Sequence, residues 1–205
     1  MDKGINNNGF EYVDLGLPSG TKWATMNVGA SKPSDFGLYF QWGDTVGYTA
    51  DQVGKDKQFT WSDYKFTIDI DGSSSNFSKY NTAGESLELA DDAANANMGG
   101  SWHMPTPTQI QELTANTTST WTTQDGVNGR LFTSKKNGKS IFIPAAGGAW
   151  DGSLLSSGDY GYVWSSILSA GSVYYGRGLN FGSDVAGLGS GDDRCDGCSV
   201  RGVIG

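Results

Sequence analysis

The sequence has one histidine, two cysteines and five prolines among its 205 residues, and 14 basic residues against 22 acidic ones. Each shortage removes a class of function. The single histidine, His103, has no serine or cysteine motif beside it, so a packed or surface imidazole accounts for it better than a catalytic one. The net charge of −8 withholds the basic footprint that duplex nucleic acid or an anionic membrane requires. Lys135, Lys136 and Lys139 do cluster, but across one turn, as a solvated hairpin tip would. No run of about eighteen apolar residues occurs, so no direct membrane insertion is expected. The opening MDKGINNNGF has no apolar secretory segment, and export would rest on a leader removed from this chain.

Cys195 and Cys198 form one CxxC in a Gly/Asp-rich setting. A redox CxxC is expected to open a helix after a strand, and a zinc site needs two more ligands at usable spacing. Neither context is present, which leaves one cysteine in a loop and one starting a strand. Carboxylates are plentiful, yet no spacing singles out an acid/base pair, and Asp91 and Asp92 are expected to serve the first turn of a helix. Asp69-Ile70-Asp71-Gly72-Ser73 begins like an oxygen-rich calcium loop but lacks the later glutamate, and Asp192-Asp193 is only a pair. No cofactor and no required metal is expected, and no catalysis.

Thirty-one glycines without a collagen period, together with seven tryptophans, nine tyrosines and nine phenylalanines, indicate a folded chain rich in turns. A chain of this length buries roughly 70% of its unfolded surface, and a single domain over 1–205 is expected. Phe10–Leu17 and Thr21–Val28 read as strands joined by the turn Pro18-Ser19-Gly20, with a short third strand over Leu38–Trp42. From Gly43 to Gly84 the pattern is a long loop pinned by Phe59, Trp61, Tyr64, Phe66, Phe77 and Tyr80. A helix is predicted over Leu87–Met98, stopped by Gly99-Gly100. A second opens with the capping box Thr106-Pro107-Thr108-Gln109 and buries Ile110 and Leu113. Asn137-Gly138 within Arg130–Ile143 predicts a tight type I′ hairpin. Strands follow over Gly161–Ile167, Val173–Phe181 and Cys198–Ile204.

The runs EYVDLGLPSGTKWATMNVGA, DDAANANMGGSWHMPT, TWTTQDGVNGRLFTSKKNGKSIFIPAAGG, GYVWSS and CSVRGV, spread over nearly the whole chain, resemble the major paralogous domain family first noted in Fibrobacter succinogenes and abundant in gut Bacteroidetes. That family is similar to the sulfatase-modifying-factor branch of the C-type-lectin-like fold. The resemblance implies an α+β, C-type-lectin-like fold with two helices, short antiparallel strands and extensive ordered loops.

It also implies two histories for the C-terminal segment. Some members of the group are variable proteins of diversity-generating retroelements, in which adenine-directed mutagenesis rewrites this segment; others are unmutated adhesins or fimbria-associated relatives. Substituting the adenines of AAC or AAT cannot yield Lys, Glu, Gln, Trp or Met, and Val173–Cys198 contains none of these five. Glycine-rich surface loops are poor in long side chains too, so both histories stay open. In the same branch the formylglycine-generating oxidases need a cysteine pair placed for copper and oxygen, an arrangement unlike the closely spaced Cys195 and Cys198.

Residues 173–198 are therefore the candidate ligand-binding segment. Tyr174, Tyr175, Arg177, Asn180 and Asp184 are types that paratopes favour. With them go Gly182, Ala186, Leu188, Ser190, Asp192, Asp193 and Asp196, and the small residues in the gaps, Gly182, Ala186, Gly187, Gly189 and Gly191, leave a shallow surface. Alternation places Tyr175 and Arg177 on one face and Tyr174 on the other, where it competes with a place in the core; Trp150 and Trp164 face the same choice between site border and core. The expected function is binding of a macromolecular ligand, protein or glycan, outside the cell on a bacterial surface or phage particle. The alternative is a structural pilus or surface-layer component. Both require a body to whose folding the final bend contributes little.

Overall fold

A computed structural model of the protein describes residues 4–5, 8–70 and 75–205. The fold is mixed α+β, with two helices and many short, mainly antiparallel strands in several small sheets. In chain order the first strands are β1 (Gly4–Ile5), β2 (Glu11–Val13), β3 (Lys22–Ala24), β4 (Tyr39–Phe40), β5 (Thr67–Ile70) and β6 (Ser75–Phe77). The helices α1 (Ala93–Met98) and α2 (Pro107–Asn116) follow. Then come β7 (Thr117–Gln124), β8 (Val127–Ser134), β9 (Ser140–Pro144), β10 (Gly148–Trp150), β11 (Ser153–Leu155) and β12 (Gly161–Leu168). The chain ends with β13 (Tyr175–Phe181), β14 (Ala186–Leu188), β15 (Asp192–Asp193), β16 (Cys198–Ser199) and β17 (Val203–Ile204).

Near its two ends the chain is tied together, because β17 pairs with β3 in the sheet β1-β2-β3-β17. The central sheet runs β14-β13-β12-β16-β4, with β15 also on β13, and its one parallel contact joins β12 to β16. Successive residues of a strand point to opposite faces. On β12, Val163 enters one buried cluster with Leu179, Phe181, Ile110 and Leu113, while Trp164 enters another with Trp42, Phe66, Tyr80 and Met98. The sheet thus separates two cores, and α2 and α1 contribute to opposite ones. Indole N–H groups tie the central β12 to the β4 edge: Trp164 donates to the Phe40 carbonyl at 2.7 Å and Trp42 to the Ser165 carbonyl at 2.9 Å.

The early strands are shorter than the sequence predicts. β2 stops at Val13 because Gly16 takes φ +65° and its N–H bonds the Asp14 carboxylate at 2.8 Å; Leu15 and Leu17 remain fully buried all the same. The Pro18-Ser19-Gly20 turn is present, closed by Gly20 N–H to the Leu17 carbonyl at 2.9 Å. In the expected long loop, Phe59, Tyr64, Phe66, Phe77 and Tyr80 are buried as predicted and Trp61 is half-buried, but the segment also forms the β5–β6 hairpin and 3-10 turns. Of the calcium-like stretch, Asp71, Gly72 and Ser73 lie outside the described residues.

The predicted first helix divides. Leu89–Asp91 is a 3-10 turn, and α1 starts only after Asp92, whose carboxylate caps it by accepting the Asn95 N–H. Asp91 does not serve the helix. It is buried and accepts from Lys65 Nζ (2.7 Å), Lys79 Nζ (2.8 Å) and Tyr80 OH (2.7 Å). α2 opens as predicted, with the reciprocal Thr106/Gln109 box, Pro107 in its first turn, and Ile110 and Leu113 buried.

The type I′ turn falls elsewhere than predicted. Asp125 (φ +51°) and Gly126 (φ +82°) join β7 to β8 with the two positive φ values such a turn requires. Asn137-Gly138 instead sits in a longer loop between β8 and β9, because Ser134 Oγ captures the N–H groups of Lys136 and Asn137.

The predicted strand Cys198–Ile204 is also broken. Cys198–Ser199 pairs with β4 and β12, whereas Val203–Ile204 pairs with β3. Between them Arg201 is fully buried and donates to Asn27 Oδ1 (2.9 Å) and to the carbonyls of Ala24 (2.9 Å) and Phe142 (3.1 Å). Burial alone pulls this guanidinium down to about 9.

Candidate functional site

The C-terminal segment is not irregular throughout. β14 and β15 both pair antiparallel with β13, at Leu179↔Leu188 and Gly176↔Asp192 among other positions. These pairings use backbone groups, so glycine- and aspartate-rich stretches can enter the sheet without any side-chain period. β13 supplies a thin platform. A Cβ on Gly176 would meet Trp164 and Trp42 at 2.8 Å, and one on Gly178 would meet the Val163 carbonyl at 2.4 Å.

The structure divides the predicted binding residues into two groups. Tyr175, Asp184 and Ser190 are exposed, along with Ser183 and Val185. Arg177 is half-buried, shares a strand alternation with Tyr175 and donates to the Gly189 carbonyl at 3.3 Å. Asn180, Asp192, Asp193 and Asp196 are half-buried, and Asn180 Nδ2 donates to Asp192 Oδ2 at 3.2 Å.

The remaining predicted residues sit against the frame, and Gly182 departs furthest from the expected exposure. Gly182 is buried, and its carbonyl accepts from Arg130 Nε at 2.9 Å. A Cβ there would meet the Tyr160 ring at 2.8 Å. Ala186 and Leu188 pack partly against the core shared with α2. Tyr174 takes the core alternative: its ring lies 5.8 Å from Phe77 and 6.2 Å from Trp61, centroid to centroid. Nor is the whole segment marginal to folding, because Arg194, Cys195 and Cys198 are all buried.

On the other side of the platform from Tyr175 and Arg177, Asn180 lies across from Tyr162 on β12. Tyr162 is one lining residue of a cleft of about 570 Å³. The rings of Phe59, Trp61 and Trp150 line it too, with the carboxylates of Asp192, Asp193 and Asp196. Trp150 and Tyr162 meet edge to face at 6.0 Å. Trp164, the other tryptophan proposed as a border, is fully buried in the core. The exposed Asp151 belongs to the same cleft; Asp151-Gly152 forms the β10–β11 turn, and Gly152 N–H bonds the Gln58 carbonyl at 2.7 Å.

Electrostatics there is one-sided. Burial, then repulsion from Asp193, Asp192 and Asp151, pushes the Asp196 carboxyl up to about 8. Burial raises Asp193 as well, with Asp151 adding to it, and burial raises Asp192 despite its bond from Asn180. Among the described residues none of these four carboxylates forms an ion pair. Asp193, Cys195 and Asp196 bring one donor atom each within 4.8 Å of one another, a spacing that could hold a cation. Both cysteines are free thiols, and burial followed by nearby carboxylates pushes each well above the ordinary thiol range. His103 is half-buried, with Nδ1 at 2.9 Å from the Met104 carbonyl.

No protein-family model, curated protein or solved structure matches the chain. Among the described residues no helix is long and apolar enough to cross a membrane.

Sequence reasoning named Asp192, Asp193 and Asp196 and raised Trp150 as a border candidate, but it missed Trp61, Tyr162 and Asp151. Trp61, Tyr162 and the Trp150-Asp151 turn come from separate segments. The only local signal was the Asp-Gly pair after Trp150, which marks a tight turn.

Proposed function

We propose that the protein is a ligand-binding domain of the C-type-lectin-like kind, related to the major paralogous family, which displays a diversified C-terminal surface as the variable proteins of diversity-generating retroelements do. The observation that carries this reading is the placement of residues 183–185 and Ser190: they are exposed at the edge of a sheet whose inner residues, Leu179 and Phe181, are buried on the frame beneath. Side chains in such positions change without disturbing a core, which is what repeated diversification requires. The ligand is a macromolecule, protein or glycan, met outside the cell on a bacterial surface or phage particle. The buried, hard-to-ionise thiols support binding over thiolate-based oxidase chemistry.

Sequencing sister copies of the gene and its neighbourhood tests this. The expected result is substitution concentrated in 173–193, sparing the buried Gly176, Gly178 and Gly182, beside a near-copy of the last coding stretch and a reverse transcriptase gene. Substitutions spread evenly over the chain would remove the diversified-display reading.

A further inference from the structure

The cleft between β12, β15 and the Trp61 turn combines features that an incidental surface depression lacks. Its volume of about 570 Å³ falls within the ~300–1,000 Å³ typical of ligand sites. Trp61, Trp150 and Tyr162 bring ring surface to it, and Asp151, Asp192, Asp193 and Asp196 bring acid groups that no described cation neutralises.

We infer that this cleft receives a lysine or arginine side chain presented by a protein ligand, its charged head among Asp192, Asp193 and Asp196 and its stem and π-facing surface against Trp61, Trp150 and Tyr162. The inference rests on the ligand-binding reading above and names the chemistry of the ligand. Two independent features point to an organic cation. Crowded acid groups can ionise together when a positive group joins them, whereas a neutral sugar hydroxyl donates a hydrogen bond but leaves their mutual repulsion in place. Indole and phenol faces attract ammonium and guanidinium groups and cover aliphatic stems, a service that a small inorganic ion bound to oxygen atoms does not use. Arginine suits the site best, because its planar fork can bond two carboxylates while stacking on a ring.

The test is an NMR titration of the whole protein that follows the indole N–H signals. The probes are acetyl-Gly-Arg-Gly-amide, its citrulline counterpart, and calcium or zinc chloride alone. The arginine peptide is expected to shift the Trp61 and Trp150 signals, and citrulline, isosteric but neutral, to leave them in place. Asp193→Asn combined with Asp196→Asn should weaken the arginine peptide about tenfold, while unchanged signals of the buried Trp23 and Trp102 report an intact fold. Trp150→Leu, which keeps the charges, should weaken it as well. Equal shifts with citrulline, insensitivity to the paired Asn substitutions, or a response to the metal ions alone would each overturn the proposal. The two readings fail separately: no peptide response with sister-copy substitutions confined to 173–193 defeats the cation cleft only, and a specific arginine response with evenly spread substitutions defeats the display reading only.

Discussion

The guanidinium carbon of Arg194 lies 4.1 Å from the centroid of the Phe77 ring. It is also within 5.2 Å of Tyr64 and 5.3 Å of Trp42. No described carboxylate pairs with it. Its Nε donates to Tyr64 OH at 2.8 Å, and its terminal nitrogens donate to the carbonyls of Tyr80, Val173 and Lys79 at 2.9 to 3.1 Å. A charge buried without a counter-ion is costly unless dipoles and ring faces replace its water; here the acceptors come from the aromatic-rich segment and from the start of the candidate binding segment. Arg194 therefore staples the loop at residues 79–80 to the platform of β13.

Arg194→Ala should destabilise the protein by about 3–5 kcal/mol, since it opens a cavity and orphans several buried acceptors. Arg194→Lys should recover only part of the loss, because an ammonium cannot reach the same forked set of acceptors. Urea unfolding midpoints of the variants decide this, and a loss below about 1 kcal/mol for the alanine change would show that the staple is dispensable.

Asp91, also buried, anchors the same region through Lys65, Lys79 and Tyr80. Burial opposes its ionisation, but hydrogen bonds from Lys65, Lys79 and Tyr80 outweigh burial and hold the carboxyl at about 2. A lowered carboxylate pKa stabilises the fold above the unfolded value near 4 and ceases to do so as pH falls through about 2. Asp91→Asn should cost about 1 kcal/mol at pH 7, allowing for solvent screening, and almost nothing near pH 2. Unfolding midpoints measured from pH 7 down to pH 2 should show wild type and variant converging.

What the sequence disclosed depended on whether the cause was local. The α2 cap was legible because Thr106, Pro107 and Gln109 act on one another within a single turn. The β8–β9 connection was misjudged because Ser134, outside the Asn137-Gly138 pair, captures the loop amides. β14 and β15 were invisible because their pairing with β13 is backbone to backbone and their glycines and aspartates carry no period. Arg194 carried no local signal of burial because its partners, Tyr64, Lys79 and Tyr80, lie more than a hundred positions away. Exposure of Tyr175, Asp184 and Ser190 followed from residue type; burial of Gly182 followed from Arg130 and Tyr160, which composition does not reveal.

The separation between display positions and platform positions is open to direct measurement. Asp184→Ala and Ser190→Tyr should each change stability by less than about 0.5 kcal/mol, as exposed sites without buried contacts do. Gly178→Val places carbon against the Val163 carbonyl, 2.4 Å from an ideal Cβ, and must push the β12–β13 ladder apart. A loss of about 2–3 kcal/mol or more is expected. Thermal unfolding of the three variants side by side is sufficient, and a destabilised Asp184→Ala protein would mean that the exposed turn helps to hold the sheet.

Asp196 sets the opposite pH trend from Asp91. Its carboxyl, raised to about 8 by burial and then by Asp193, Asp192 and Asp151, binds a proton in the folded chain across a range in which the unfolded chain has released it. Between about 4 and 8 the folded state thus holds more protons, so stability falls as pH rises through that window and the full penalty stands above it. Asp196→Asn fixes the neutral form and should be almost neutral at pH 4 yet stabilising by about 1–2 kcal/mol at pH 9, after discounting for the partial solvent access of the cleft. The neighbouring acids Asp151, Asp192 and Asp193, the Cys195 thiol and Tyr162 face the same space, so the control is Asp151→Asn. Removing one repelling charge from an exposed position should reproduce a smaller part of the alkaline gain. Equal urea midpoints for Asp196→Asn and wild type at both pH values would mean that Asp196 already ionises freely, and the crowding of charge in the cleft would then be relieved by water alone.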